Sequence, residues 1–209
     1  MSAPDPAAQE GKDASLHLTD SEANADCDTE AVALDIETSG LGNADVVTCV
    51  CICAAEWERV WVKEMDVHAI CSALNKASVI YGYNAGGFDI PFMQRAWKLS
   101  DTQVGVWMSK LVDPLYCVRG LFGTGMCVKL QDVLTRNGMQ GKSGSGADAV
   151  QLAKDGKWKE LSDYCLRDTR QTLELLQQCQ KSKIYWNETL EFVKTQQWSL
   201  EHCGLAGRE

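Results

Sequence analysis

The apolar positions of the chain fall into short runs that alternate with turn residues and with stretches of helical period. Ala31 to Glu37 (AVALDIE) reads as a buried strand, ended by Thr38, Ser39, Gly40, Gly42 and Asn43. Val46 to Ala55 forms a second apolar run and Arg59 to Lys63 a third, alternating one. A helix fits Val67 to Lys76, and a short strand Val79 to Tyr83. The next helix starts near Phe88 and runs towards Leu99. Leu111 and Val112 end another strand, and Asp113-Pro114 reads as a helix start, with Asp113 as its N-cap. Helices are predicted over Lys129 to Asn137, Ala147 to Ala153 and Trp158 to Gln180, with a Gly-rich loop from Gly138 to Gly146. Three strands followed by alternating helix and strand, then helices, predict an α/β domain with a mixed sheet.

Charge separates the first segment from the rest. The formal net charge is -9, but Asp5, Glu10, Asp13, Asp20, Glu22, Asp26, Asp28 and Glu30 face Lys12 alone in the first thirty residues. Residues 1–30 are expected to be a disordered acidic tail, 31–183 the folded domain and 184–209 a helical extension or tail. The body is nearly neutral, so phosphate neutralisation alone would not carry nucleic-acid binding. The tail lacks a signal peptide's apolar run and a transit peptide's Arg-rich character, and no stretch is apolar enough to span a membrane. An intracellular protein of nucleus or cytoplasm is the expectation.

Ten cysteines would suit a disulfide scaffold, but the length and ordinary apolar content argue against one. Cys49, Cys51 and Cys53 alternate within one apolar run and so share a strand face. With no CxxC pair or Cys/His cluster beside them, they read as small buried apolar residues.

The carboxylates are placed less ordinarily. Asp35 and Glu37 end a buried strand two positions apart, on one face, where they repel each other unless a cation joins them. Asp89 follows a strand at a helix start, where it would serve equally as an N-cap or a metal ligand. Tyr164 and Asp168 stand four apart and project from one face of the last long helix, whose apolar stripe holds Leu161, Leu166 and Leu173. Four such carboxylates could hold two hard divalent ions for phosphodiester hydrolysis. Gly141-Lys142-Ser143 hints at a P-loop, but Arg136 occupies the position where that motif requires Gly.

The segments DIET, YNAGGFD and YCLRD resemble, in order and spacing, the three motifs of the DEDD superfamily of 3′-5′ exonucleases. Tyr164 marks the Tyr-type (DEDDy) branch, and GYNAGGFDIPFM with YCLRD is most similar to proofreading exonuclease domains of family B DNA polymerases and their stand-alone relatives. The resemblance spans about Val32 to Gln178. It implies an RNase H-like (DnaQ-like) fold and two Mg²⁺ ions, replaceable by Mn²⁺, on Asp35, Glu37, Asp89 and Asp168. It assigns Tyr164 to positioning the attacking water. Thr38 (by its backbone), Leu41 (by stacking on the last base) and Asn84 match substrate-contacting positions. Lys142 stands where some relatives hold a Lys near the scissile phosphate, although Ser145 replaces an apolar residue after it; a solvated loop Lys is the alternative.

The implied activity is release of nucleoside 5′-monophosphates from the 3′ end of single-stranded nucleic acid, DNA favoured over RNA. Residues 169–209 are too few for a polymerizing domain, so the chain is expected to act alone or beside a polymerase or replication/repair partner. A catalytically inactive binding or interaction module is the alternative, and the intact set of acids with Tyr164 argues against it.

Overall fold

The computed structural model describes residues 30–115, 128–141, 144–181, 183–184 and 193–194. Three strands come first: β1 (Ala31–Thr38), β2 (Val47–Cys53) and β3 (Glu58–Val62). Then follow α1 (Val67–Lys76), β4 (Val79–Tyr81), α2 (Asp89–Trp97), α3 (Asp101–Met108) and β5 (Leu111–Val112). Helices α4 (Leu130–Arg136), α5 (Gly146–Lys154) and α6 (Trp158–Lys181) complete the body. A short antiparallel pair, β6 (Lys183–Ile184) and β7 (Val193–Lys194), starts at the last residue of the expected domain and continues into the expected C-terminal extension. The expected tail, apart from Glu30, lies outside the described residues.

The five main strands form one mixed sheet in the order β3-β2-β1-β4-β5. β1 pairs antiparallel with β2 and parallel with β4, which pairs parallel with β5. The α/β architecture with a mixed sheet is therefore as the hydrophobic pattern predicted. β1 sits at the centre, which is why its apolar residues fill both faces.

Alternation along β1 then decides what each face does. Val32, Leu34 and Ile36 enter the core that holds Ile70 and Leu74 of α1, Ile90, Phe92 and Met93 of α2, and Trp107 of α3. Ala33 enters the opposite core with Tyr81, Val112, Leu134 and, from α6, Leu173, Leu175 and Leu176. Asp35 and Glu37 share Ala33's parity and so belong to the α6 face. On β2, Cys49 and Cys51 pair with Glu37 and Asp35 and pack against Ala149, Leu161 and Cys165.

Helix α3 is absent from the sequence reading. Its apolar residues Val104, Val106, Trp107 and Met108 are broken by Gly105 and make no clear stripe. The signal was in its cap: Ser100 accepts from Gln103 N at 3.2 Å, the serine-x-x-glutamine start of a helix. Trp107 Nε1 donates to Asn75 Oδ1 at 2.8 Å and ties α3 to the end of α1.

Candidate active site

The acids come together from three elements. β1 delivers Asp35 and Glu37, both partly buried, on the face towards α6. Their carboxylate oxygens and Cys165 Sγ all lie within 4.8 Å of one another. Beyond Glu37 the β1–β2 register shifts, and Thr38 pairs with Val47.

Asp89 arrives through a tight turn after β4. A Cβ on Gly82 would collide with Ala85, so only glycine permits that approach. Asn84 adopts φ 68°, in the left-handed region that asparagine tolerates better than most residues. Asp113 braces the turn: its two carboxylate oxygens accept from Asn84 N at 2.9 Å and Gly86 N at 2.8 Å. Asp113 is thus buried and committed to the loop 29 positions before it, a role that reading it as the N-cap of a following helix had missed. Phe88, not Asp89, occupies the N-cap of α2.

Asp89 is 4% exposed, and its Oδ1 accepts from Ile36 N at 3.0 Å, between the two acids of β1. Burial holds the Asp89 carboxyl well above the ordinary carboxylate range, and the Asp35 charge adds to the effect. The Ile36 N–H opposes the shift, and Asp113 adds to it from the other side. A positive charge arriving there would favour its ionised form.

Helix α6 supplies the third segment. Asp168 is 1% exposed and Tyr164 is buried one turn before it. The Tyr164 phenol is pushed above its usual range, first by burial, then by the charges of Asp168, Glu37 and Asp35 and by a hydrogen bond to Asp168. Tyr164 therefore stands among three of the four acids as a protonated donor. Gly144 lies over the Tyr164 ring, and a Cβ there would meet Cε2 at 3.1 Å. Ser145 follows as the start of α5, its N and Oγ both donating to Asp148 Oδ2 at 2.7 and 2.9 Å. That explains a serine where an apolar residue was expected.

Of the remaining sequence-predicted residues, Thr38 and Leu41 lie at and beyond the end of β1, and Asn84 in the turn after β4. Thr38 is buried, and its Oγ1 donates to Gly40 O at 2.8 Å. Leu41 is 79% exposed at the tip of the β1–β2 loop. Asp45 builds that loop: it accepts from Ser39 Oγ at 2.8 Å and Gly42 N at 2.6 Å, while Val46 N donates to Ser39 Oγ at 3.0 Å. The Ser39 hydroxyl, followed by the Gly42 N–H, holds the Asp45 carboxyl below its ordinary value. Asn84 is partly buried beside Asp113. Lys142 lies outside the described residues.

Sequence reading had also passed over Cys165. Its thiol contacts Asp35 O at 3.6 Å and Asp35 Oδ2 at 3.9 Å, directly behind the acids. Nothing local in the sequence links it to Cys49 and Cys51; only the packing of α6 on β2 does.

Asp35 and Glu37 bring carboxylate oxygens within 4.8 Å of each other, and with Asp89 and Asp168 nearby they offer oxygen ligands of the kind that hard divalent cations such as Mg²⁺ take. Among the described residues, no helix is long and apolar enough to cross a membrane.

Residues 32–180 match the family model of the RNase_H superfamily. No curated protein matches the chain. Solved structures that share its fold include the following two. The family B DNA polymerase from the hyperthermophilic archaeon Pyrobaculum calidifontis superposes with a TM-score of 0.56 at 20% identity, covering 71% of this chain. The chain spans 24% of that polymerase. The Aedes aegypti Nibbler EXO domain superposes with a TM-score of 0.52 at 14% identity, covering 75% of this chain and 80% of that one.

Proposed function

The chain belongs to the RNase H superfamily, and from that premise we propose that it is a metal-dependent 3′-5′ exonuclease of the Tyr-type DEDD class. One observation carries the reading: Tyr164 lies among Asp168, Glu37 and Asp35, while Asp89 meets the backbone between Asp35 and Glu37. A binding surface for a polyanion has no use for converging acids, whereas phosphodiester hydrolysis through divalent cations requires them.

Asp35 would contribute to both metal positions, Glu37 and Asp168 to one, and Asp89 to the other. Two Mg²⁺ ions there, with Mn²⁺ as substitute, supply a water of lowered pKa and neutralise charge on the leaving oxygen. The chain does the positioning. The Tyr164 phenol, raised above its usual range by burial and the nearby acids, keeps its proton and orients the attacking water with Glu37. Bound cations would favour the ionised Asp89, whose carboxylate the Ile36 N–H holds in place.

Substrate is held from the β1–β2 side. The exposed Leu41 stacks on the terminal base, a contact that reads no sequence. The Thr38 backbone and Asn84 border the terminal nucleotide, and Lys142 offsets charge at the scissile phosphate. The substrate is a single-stranded 3′ end, with DNA favoured, and the wider setting is replication or repair beside a polymerase on another chain.

Product chemistry tests this reading. Digestion of single-stranded DNA and RNA with Mg²⁺ should release nucleoside 5′-monophosphates from the first time point. Release of nucleoside 3′-monophosphates, or of internal oligonucleotides first, would contradict the mechanism.

A further inference from the structure

Behind the carboxylates lies a second constellation that hydrolysis does not use. Cys49 and Cys51 on β2 and Cys165 on α6 are each 0% exposed. Their three sulfurs lie within 4.8 Å of one another. Val60, Val62, Ala149 and Leu161 wall them in with apolar groups. On the open side Cys165 Sγ stands 3.9 Å from Asp35 Oδ2. Three sulfurs from two elements are thus gathered together, and the Asp35 carboxylate stands beside one of them, Cys165.

That donor set differs in kind from the carboxylates in front of it. Mg²⁺ takes oxygen ligands, whereas thiolates select soft or borderline ions. A tetrahedral zinc ion with sulfurs at about 2.3 Å needs those sulfurs about 3.7 Å from one another. Sulfurs that lie within 4.8 Å of one another need draw in by about an ångström at most to reach that spacing, within the scope of cysteine χ1 rotation.

We propose that Cys49, Cys51 and Cys165, with the Asp35 carboxylate as fourth ligand, form a site for a thiophilic divalent ion, Zn²⁺ or Cd²⁺, whose occupancy withdraws Asp35 from the catalytic centre. Each thiol that coordinates releases its proton to solvent, and no electrons are transferred. Register enforces the antagonism. Asp35 pairs with Cys51 across the β1–β2 ladder, so the same carboxylate borders both sites and can serve only one well. The inhibitory half of the proposal rests on the exonuclease reading; the metal site itself does not.

The test uses the full chain, reduced, freed of metal with a chelator and titrated with Cd²⁺ in excess Mg²⁺. Thiolate-to-cadmium ultraviolet absorption should saturate with a component of one equivalent. That component should vanish in C49S/C51S and in C165A. The second variant keeps a small apolar residue on α6 in case the double serine variant fails to fold. Loading wild type with Cd²⁺ should cut Mg²⁺-dependent cleavage at least tenfold, with recovery on adding a competing dithiol, while C49S/C51S keeps its activity in Cd²⁺. An unchanged one-equivalent absorption in both variants would overturn the site. Full activity of Cd²⁺-loaded wild type would overturn the antagonism. Absorption is read whether or not the chain cleaves nucleic acid, so failure of the exonuclease reading would leave it in place. Failure of the thiol site would remove it and leave Mg²⁺-dependent cleavage intact.

Discussion

The backbone N–H of Ile36 donates to Asp89 Oδ1 at 3.0 Å, joining the centre of β1 to the first turn of α2. Ile36 lies between the two acids of the strand, so this bond sets where the third acid stands relative to the first two. It also leaves Asp89 buried beside Asp35 with only partial compensation for its charge.

Substitutions at Asp89 should therefore separate stability from activity. Asp89→Asn keeps an acceptor for Ile36 N–H and removes a buried charge; Asp89→Ala leaves that N–H without its acceptor. The Asn variant should be more stable than the Ala variant by about 1–3 kcal/mol. Without metal at neutral pH, its Tm should equal or exceed that of wild type. Both variants should lose about 10³-fold in cleavage rate. A folded-state pKa above the unfolded one means that Asp89 favours the native state most below the ordinary Asp value. That contribution is lost as pH rises through the raised value. Thermal unfolding of metal-free wild type and Asp89→Asn across this range checks the sign: the gap should widen in favour of Asn as pH rises.

Tyr164→Phe should be mild by comparison. It removes one hydroxyl, the group that orients the attacking water, but leaves every carboxylate. The value of a hydrogen bond to a charged group, about 1.5–3 kcal/mol, corresponds to a loss of roughly 10- to 100-fold in kcat. Because the phenol is held above its usual range, wild type and Phe variant should share the same alkaline limb up to about pH 10. A limb lost in the Phe variant would mean that the phenol ionises and acts as a base.

The Asp45 loop should control substrate affinity. Asp45→Asn weakens the bonds from Ser39 and Gly42 that hold up Leu41, so KM for single-stranded substrate should rise with little change in kcat. Leu41→Ala should give the same split through loss of the stacking surface. The depressed Asp45 pKa stabilises the fold above the unfolded value, and that contribution disappears as pH falls through the folded one. The Tm difference between wild type and Asp45→Asn should be present at about pH 6 and close as pH falls below the ordinary Asp value.

What the sequence disclosed follows from the range of each interaction. Period-two alternation in β1 put Asp35 and Glu37 on one face, and helical spacing joined Tyr164 to Asp168, because both are local geometry. The resemblance in three motifs supplied Asp89, whose own surroundings read only as a helix start. Asp-Pro correctly signalled a helix start at Pro114, a local cue, but the carboxylate's bonds to Asn84 and Gly86 on another loop were not legible. Asp45 drew no notice because surface acids after a glycine turn are common. Cys165 stood alone in the sequence and found its two companions only through packing. Helix α3 was missed because its interrupted stripe hid a legible capping signal at Ser100 and Gln103.

The most direct measurement is digestion of 5′-labelled single-stranded DNA and RNA in Mg²⁺ by wild type and by Asp35→Ala. The expected result is a ladder that shortens from the 3′ end, needs the metal, favours DNA and falls by about 10³-fold or more in the variant. Folded wild-type protein that binds either polymer without cleaving it, or an Asp35→Ala variant that cleaves as fast as wild type, would contradict the exonuclease account.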